Sequence, residues 1–423
     1  LVAKNKPTGS NNPFASLSGG KTPAQIYKNG IPAELSDLRQ YDVGTYDKSS
    51  DTLFVSDLKL SGLYENAYPN AAAPSTVTVM GAELTVLPSA QADLAAFKVG
   101  DKVTLLLTTT GQVAGAVSPD VAKSNAVGVA EVKGTTATIK LLDGILTLEG
   151  QTTYSEAAAA KLNGCLVTVS SYKRDYLTLS KVNGKGASTA LNLTTNRMGT
   201  KELSAGARFF EQVGNGRLVE IDRSDITITS IPANKITYVG YDWAGRVDKL
   251  VLNDVTGDRY DYGIIHYQPA GYQETPGNPD GNGEYKNGEI SVTNGSFPKG
   301  MPPYVVGSVD GAKTNRMGGV AGSLDQLDGK NRMAAFMPLN EATGIRRAQF
   351  DTDAMLLTTN SMVIPISDKV ECYNKTTGDW FKPGEDGDHK AALNLALAFS
   401  DDITVYYDRS PEEGGKVRIV VVE

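Results

Sequence analysis

The chain has 423 residues, 40 % hydrophobic and 21 % charged, a balance that excludes disorder and allows about two to four domains. Its net charge of −7 argues against a nucleic-acid partner, whose phosphates need clustered Lys and Arg. No run approaches the roughly 18 apolar residues of a membrane span.

In chain order, the sequence opens at Leu1 with a polar, turn-rich lead-in, "NKPTGSNNPFASLSGGKTP", and shows no signal peptide. It reads as a piece of a longer protein, and residues 1–33 as a lead-in with the remnant of a preceding unit. A phrase then recurs: "YDVGTYDKSSDTLFVSD" (41–57), "DKVTLLLTTTGQVAGAV" (101–117), "CLVTVSSYKRDYLTLSKV" (165–182), "KITYVGYDWAGRVDKLVL" (235–252) and "DITVYYDRSPEEGGKVRIVVV" (402–422). Each is an alternating run, a turn through Asp, Gly or Lys, and a second alternating run, which predicts a β-hairpin. Four carry a β-branched residue followed by Thr: Val103-Thr104, Val167-Thr168, Ile236-Thr237 and Ile403-Thr404. The β-branched member is expected inside and the Thr outside, because a one-residue slip would expose the whole apolar set. Short Ala/Leu-rich stretches before several copies predict helical plugs.

A few curled strands with one short helix bury little unless they close on themselves. The expected fold is therefore all-β, a tandem of small OB-like or SH3-like barrels, with tandem β-sandwiches as the alternative. The expected units are 34–118, 119–182, 183–253 and 254–423, the last carrying an exposed Gly/Pro/Asn-rich loop at 268–289. Seven Asn-Gly pairs mark further turns.

Chemistry is hard to find. The two histidines, His266 and His389, sit in no nucleophile or zinc pattern. Cys165 and Cys372 read as buried free thiols. "PFASLSGGKT" (13–22) has Ala15 where a phosphate-binding loop requires Gly, and reads as a linker. The acidic stretches 278–284 and 254–262 fit no calcium loop. "NRM" recurs at 196–198, 315–317 and 331–333 as a structural duplication without a chemical role. No catalytic, metal or cofactor residue is expected. Tyr260, Tyr262, Tyr267, Tyr272 and Tyr285 are the candidates for a sugar-stacking platform, against a plainer reading as cross-strand packing.

The words "YKNG", "LRQYDVGTY", "GLYENAYPNAAAPSTVTV", "VGDKVTLLL" and "LVLNDVTGDRYDYG", in this order, resemble the non-anchoring repeat region of S-layer homology domain proteins from Gram-positive gut bacteria. The resemblance covers most of 27–265 and, more loosely, the closing strands. It implies an extracellular, wall-associated parent protein, anchored to a cell-wall polymer by modules that are not in this sequence. It supplies no catalytic residue. The expected function is a non-enzymatic spacer or interaction surface, meeting a glycan or a surface protein. The rivals are a glycan-binding module and a cell-wall hydrolase or its accessory region.

Overall fold

The alternating segments become strands throughout this computed structural model, which describes residues 1–7, 11–124, 126–182, 186–274 and 283–423. Two compact units result. The first comprises Leu1–Lys185, Thr200–Ala207 and Val239–Lys249; the second comprises Gly186–Gly199, Arg208–Tyr238 and Leu250–Glu423.

In the first unit, the clearest closed barrel is built from Val127–Lys133, Thr136–Leu141, Thr147–Thr152, Leu166–Lys173 and Tyr176–Lys181. The first strand pairs with the second and the fourth. Closure comes from a parallel contact between the third and fifth, Gln151 opposite Tyr176 and Thr152 opposite Leu177. The short helix Glu156–Ala160 follows the third strand and buries Ala159. This order, with a helix between strands three and four, is the OB type of small barrel. Residues 59–117 repeat it: Lys59–Tyr68, Thr76–Val79, Ala82–Thr85, helix Pro88–Leu94, Lys102–Leu107 and Val113–Val117, with a parallel bridge from Val86 to Val113. Residues 1–56 keep part of it: Val2 bridges Val43, Val43–Asp47 pairs with Thr52–Ser56, and Gln25–Lys28 runs parallel to the latter.

The second unit holds two more copies. One joins Asp261–Gln268, Gly288–Thr293, Tyr304–Val306, Arg316–Leu327 and Lys330–Pro338 into a closed barrel, Val305 lying parallel to Arg332. In the other, Asn340–Ile345 and Phe350–Asp351 act as one interrupted first strand. Leu356–Thr358, Val363–Asn374, helix His389–Phe399, Ile403–Tyr407 and Val417–Val422 follow, with Cys372 parallel to Val420. The helix has an Asp388 cap, whose side chain accepts from the Ala391 amide, and buries Ala392, Leu393, Ala396 and Leu397 on one face.

All five recurring phrases are hairpins, and four of them form the fourth and fifth strands of the barrel plan. Val103, Val167, Ile236 and Ile403 are buried as expected. Thr168 and Thr237 face outward, but Thr104 does not. It is fully buried, its hydroxyl bonded to Ser61 Oγ at 2.7 Å and to the Ala122 carbonyl at 2.8 Å, because residues 118–124 pass over that face. The closing strand Val417–Val422 is buried on both faces. Val417, Val420 and Val422 fill the barrel interior, while Ile419 and Val421 enter a second apolar cluster with Tyr260 and Tyr262. That explains an unbroken apolar run in an otherwise alternating protein.

Two consecutive barrels share a hydrophobic cluster. In the first unit, one hydrophobic cluster contains Leu60, Val79, Met80 and Leu105 of one barrel together with Ile139, Leu148, Val167 and Leu179 of the next.

Candidate functional site

The densest polar grouping lies in the second unit, where the last two barrels meet. Arg418, on the closing strand, is only 1 % exposed. Its Nε donates to Asp408 Oδ2 at 2.9 Å, Nη1 to Asp258 Oδ1 at 2.5 Å and to Ser367 Oγ at 3.1 Å, and Nη2 to the Thr256 carbonyl at 2.6 Å. Its guanidinium also stands 5.0 Å from the centre of the Tyr262 ring. Lys416 Nζ holds the other oxygen of Asp258 at 2.8 Å. Burial would raise the Asp258 carboxyl, but Arg418 and Lys416 outweigh it and hold the group below the usual carboxylate range. Behind this, Glu211 accepts from the amides of Val255 and Thr256 at 2.6 and 2.7 Å. Arg409 pairs with Asp254.

The stretch 254–262 therefore spends Asp254 and Asp258 on protein cations instead of aiming them at an ion. Among the described residues no group of three or more His, Cys, Asp or Glu is arranged to hold a metal. Most of 278–284 lies outside the described residues.

A second link joins the same two barrels. Glu371, on the strand Val363–Asn374, accepts from the Gly295 amide at 2.9 Å and from Ser296 Oγ at 3.2 Å. His389 stands at the helix start, its Nδ1 3.0 Å from the Val370 carbonyl and 3.8 Å from Glu371 Oε1. That carbonyl can only accept, so Nδ1 carries the proton. Burial pushes the Glu371 carboxyl up to about 7, against the pull of the Gly295 and Ser296 donors. Both carboxylate oxygens are occupied by protein donors, so the group is engaged in packing rather than presented to a substrate.

The folded chain then keeps a proton on Glu371 that the unfolded chain releases near 4.5. Stability should fall as pH rises from about 4.5 to about 7, by roughly 3 kcal/mol in total. Glu371→Gln is expected to flatten that slope and to stabilise the second unit above pH 7. Urea midpoints at pH 5 and pH 8 check this; identical pH slopes in the two proteins would refute it.

The five tyrosines separate. Tyr260 and Tyr262 are core residues, 5.9 Å apart between ring centres, and offer no face to a sugar. Tyr267 is half-buried against the barrel core, and its hydroxyl accepts from the Val309 amide. Tyr272 and Tyr285 are 58 % and 67 % exposed and stand directly opposite each other on the ribbon formed by Gly271–Glu274 and Gly283–Lys286. That ribbon occupies the expected loop at 268–289; residues 275–282 lie outside the described residues. His266 is exposed, its Nε2 2.7 Å from Thr293 Oγ1. Cys165 and Cys372 are free; Cys372 is buried, whereas Cys165 is half-buried. Residues 13–22 form turns without a leading strand, apart from any phosphate-loop geometry. Asn196 and Asn315, at φ of 54° and 61°, turn the chain into the strands Arg197–Met198 and Arg316–Leu327, which explains two of the three "NRM" copies.

The third copy borders a cavity of about 220 Å³ in the second unit. Arg259, Asp261, Tyr304, Ser323 and Asn331 line it, with the turn Val213–Arg217. Tyr304 lies against Gly322, where a side chain would come within 2.5 Å of the tyrosine hydroxyl. The pairing register of the strand Arg316–Leu327 shifts at Ala321–Gly322 and again before Gln326, which opens the sheet at this point.

No family model matches the chain, and comparison with curated proteins and with solved structures returns no match.

Proposed function

We propose that the chain is a non-catalytic, extracellular spacer or interaction segment of a bacterial cell-surface protein of the S-layer homology type. One observation carries the reading: within each unit, neighbouring barrels are joined by buried contacts. In the first unit they share a hydrophobic cluster, and in the second they are joined by an apolar cluster around Tyr262 and Ile419 and by the buried Arg418–Asp258 pair. Buried junctions of this kind resist bending, which suits a segment that holds other modules away from a wall. Wall attachment belongs to anchoring modules elsewhere in the parent protein.

The chain carries 48 carboxylates against 41 cations, so anionic wall polymers should repel it weakly. At physiological salt it is expected to stay in the supernatant when purified Gram-positive wall is pelleted, whereas the parent protein with its anchors sediments. Saturable co-sedimentation of the chain alone would remove the spacer reading.

A second reading, glycan binding, is favoured by the opposed, exposed pair Tyr272 and Tyr285. They sit between the first and second strands of an OB-type barrel, a loop that such barrels use to bind oligosaccharides. Tyr272→Ala with Tyr285→Ala is the variant that would abolish any wall binding found.

A further inference from the structure

Three polar side chains converge on the 220 Å³ cavity without a protein partner. Arg259 and Asp261 lie two residues apart, where the chain enters the first strand of the third-strand Tyr304's barrel. Among the described residues, none of these three side chains makes a hydrogen bond or an ion pair. Oppositely charged groups so near in sequence would ordinarily pair; here both address the same space and stay apart. Burial pushes the Asp261 carboxyl up even though Arg259 and Lys369 pull it down, so its charge is poorly solvated. A half-buried, unpaired charge costs free energy that a ligand of opposite charge would recover. Asn331 adds a polar edge: its Oδ1 accepts from Gln326 at 3.0 Å, which turns the amide without using its two N–H donors.

The geometry points to a binding site for a small zwitterion of the α-amino-acid type, its carboxylate on Arg259 and its ammonium on Asp261. The Tyr304 hydroxyl and the Asn331 amide hold the remainder. The cavity is smaller than the roughly 300–1,000 Å³ of drug-sized pockets and suits a ligand of single-residue size. This inference goes beyond the spacer reading and does not depend on it.

Calorimetric titration of the full chain with the common L-amino acids and their D-enantiomers tests it, with acetate and methylamine as half-ligands. At least one amino acid should bind saturably, about tenfold or more tighter than either half-ligand. Arg259→Gln and Asp261→Asn should each weaken that binding about tenfold. In the unmodified chain the amide resonances of Gly322 and Ser323 should shift on titration, a readout that needs no variant. The proposal is overturned if no amino acid binds at millimolar concentration, if acetate binds as well as the best amino acid, or if folded variants bind like the parent chain. Resonance shifts confined to another part of the chain would overturn it too.

Discussion

Arg418→Ala is expected to destabilise the second unit by about 3–5 kcal/mol, the cost of leaving buried charge without its partner. Asp408 has no exposed side-chain surface and gives one oxygen to Arg418 and the other to the amides of Arg409 and Lys416. Without the guanidinium, that carboxylate keeps its charge in a dry site with no cation on Oδ2, which is left with only a long hydrogen bond from the Tyr262 hydroxyl at 3.4 Å. Asp258 fares better, because Lys416 still reaches it. Adding Asp408→Asn should therefore recover part of the loss, as a double-mutant cycle would show. Each unit holds one of the two tryptophans: Trp380 packs beside the junction in the second unit, and Trp243 belongs to the first. Urea unfolding followed by Trp380 fluorescence in a Trp243→Phe background reads the second unit alone. A loss under about 1 kcal/mol would put the pair in the class of weak surface bridges and deny it a structural role.

The sequence carried this residue's signal in plain form. "KVRIVVV" places one Arg in an unbroken apolar strand, and a cation there requires a buried partner. What could not be read was which carboxylate, since Asp258 lies 160 positions away. The hairpins were legible because alternation is local. Yet the hairpin of the barrel spanning 261–338 escaped, for a physical reason. Its strand "RMGGVAGSLDQL" brings glycines where other copies bring Val and Thr, and the space is filled from across the sheet. A side chain at Gly319 would meet the Tyr262 ring at 2.5 Å, and one at Gly318 would meet Ile265 at 2.9 Å. The apolar pattern has moved to the partner residues. Thr104 shows the converse, a polar position buried by a connecting segment that alternation cannot anticipate. The tyrosines divide by the same logic: those beside the closing strand entered a core, and only those on the ribbon remained outside. Arg259 and Asp261 were visible only as two charges in an acidic stretch; the cavity that gives them meaning is made by strands far along the chain.

Gly81→Ala is expected to destabilise the first unit by about 2–3 kcal/mol, well beyond the strain of the turn alone. Met80 and Gly81, at φ of 51° and 72°, make the two-residue turn between Thr76–Val79 and Ala82–Thr85. A left-handed Ala costs roughly 1–2 kcal/mol wherever it occurs. At Gly81 a methyl group would also lie 2.0 Å from the carbonyl oxygen of Glu149, which is backbone of the third strand in the next barrel and cannot swing aside. Relief requires the barrels to part there. Parting breaks the bond from the Glu149 amide to the Met80 carbonyl, 3.1 Å long and worth about 1 kcal/mol. It also loosens the packing of Met80 in the shared cluster. Gly134→Ala is the matched control: φ is 62°, and the nearest atom, 3.2 Å away, is the mobile carboxylate end of Glu156. It should show the turn strain without the loss of the junction. The difference between the two variants, read by Trp243 fluorescence with Trp380 replaced by Phe, isolates the contact between barrels. Equal losses would mean that the two barrels are joined only by the chain that connects them.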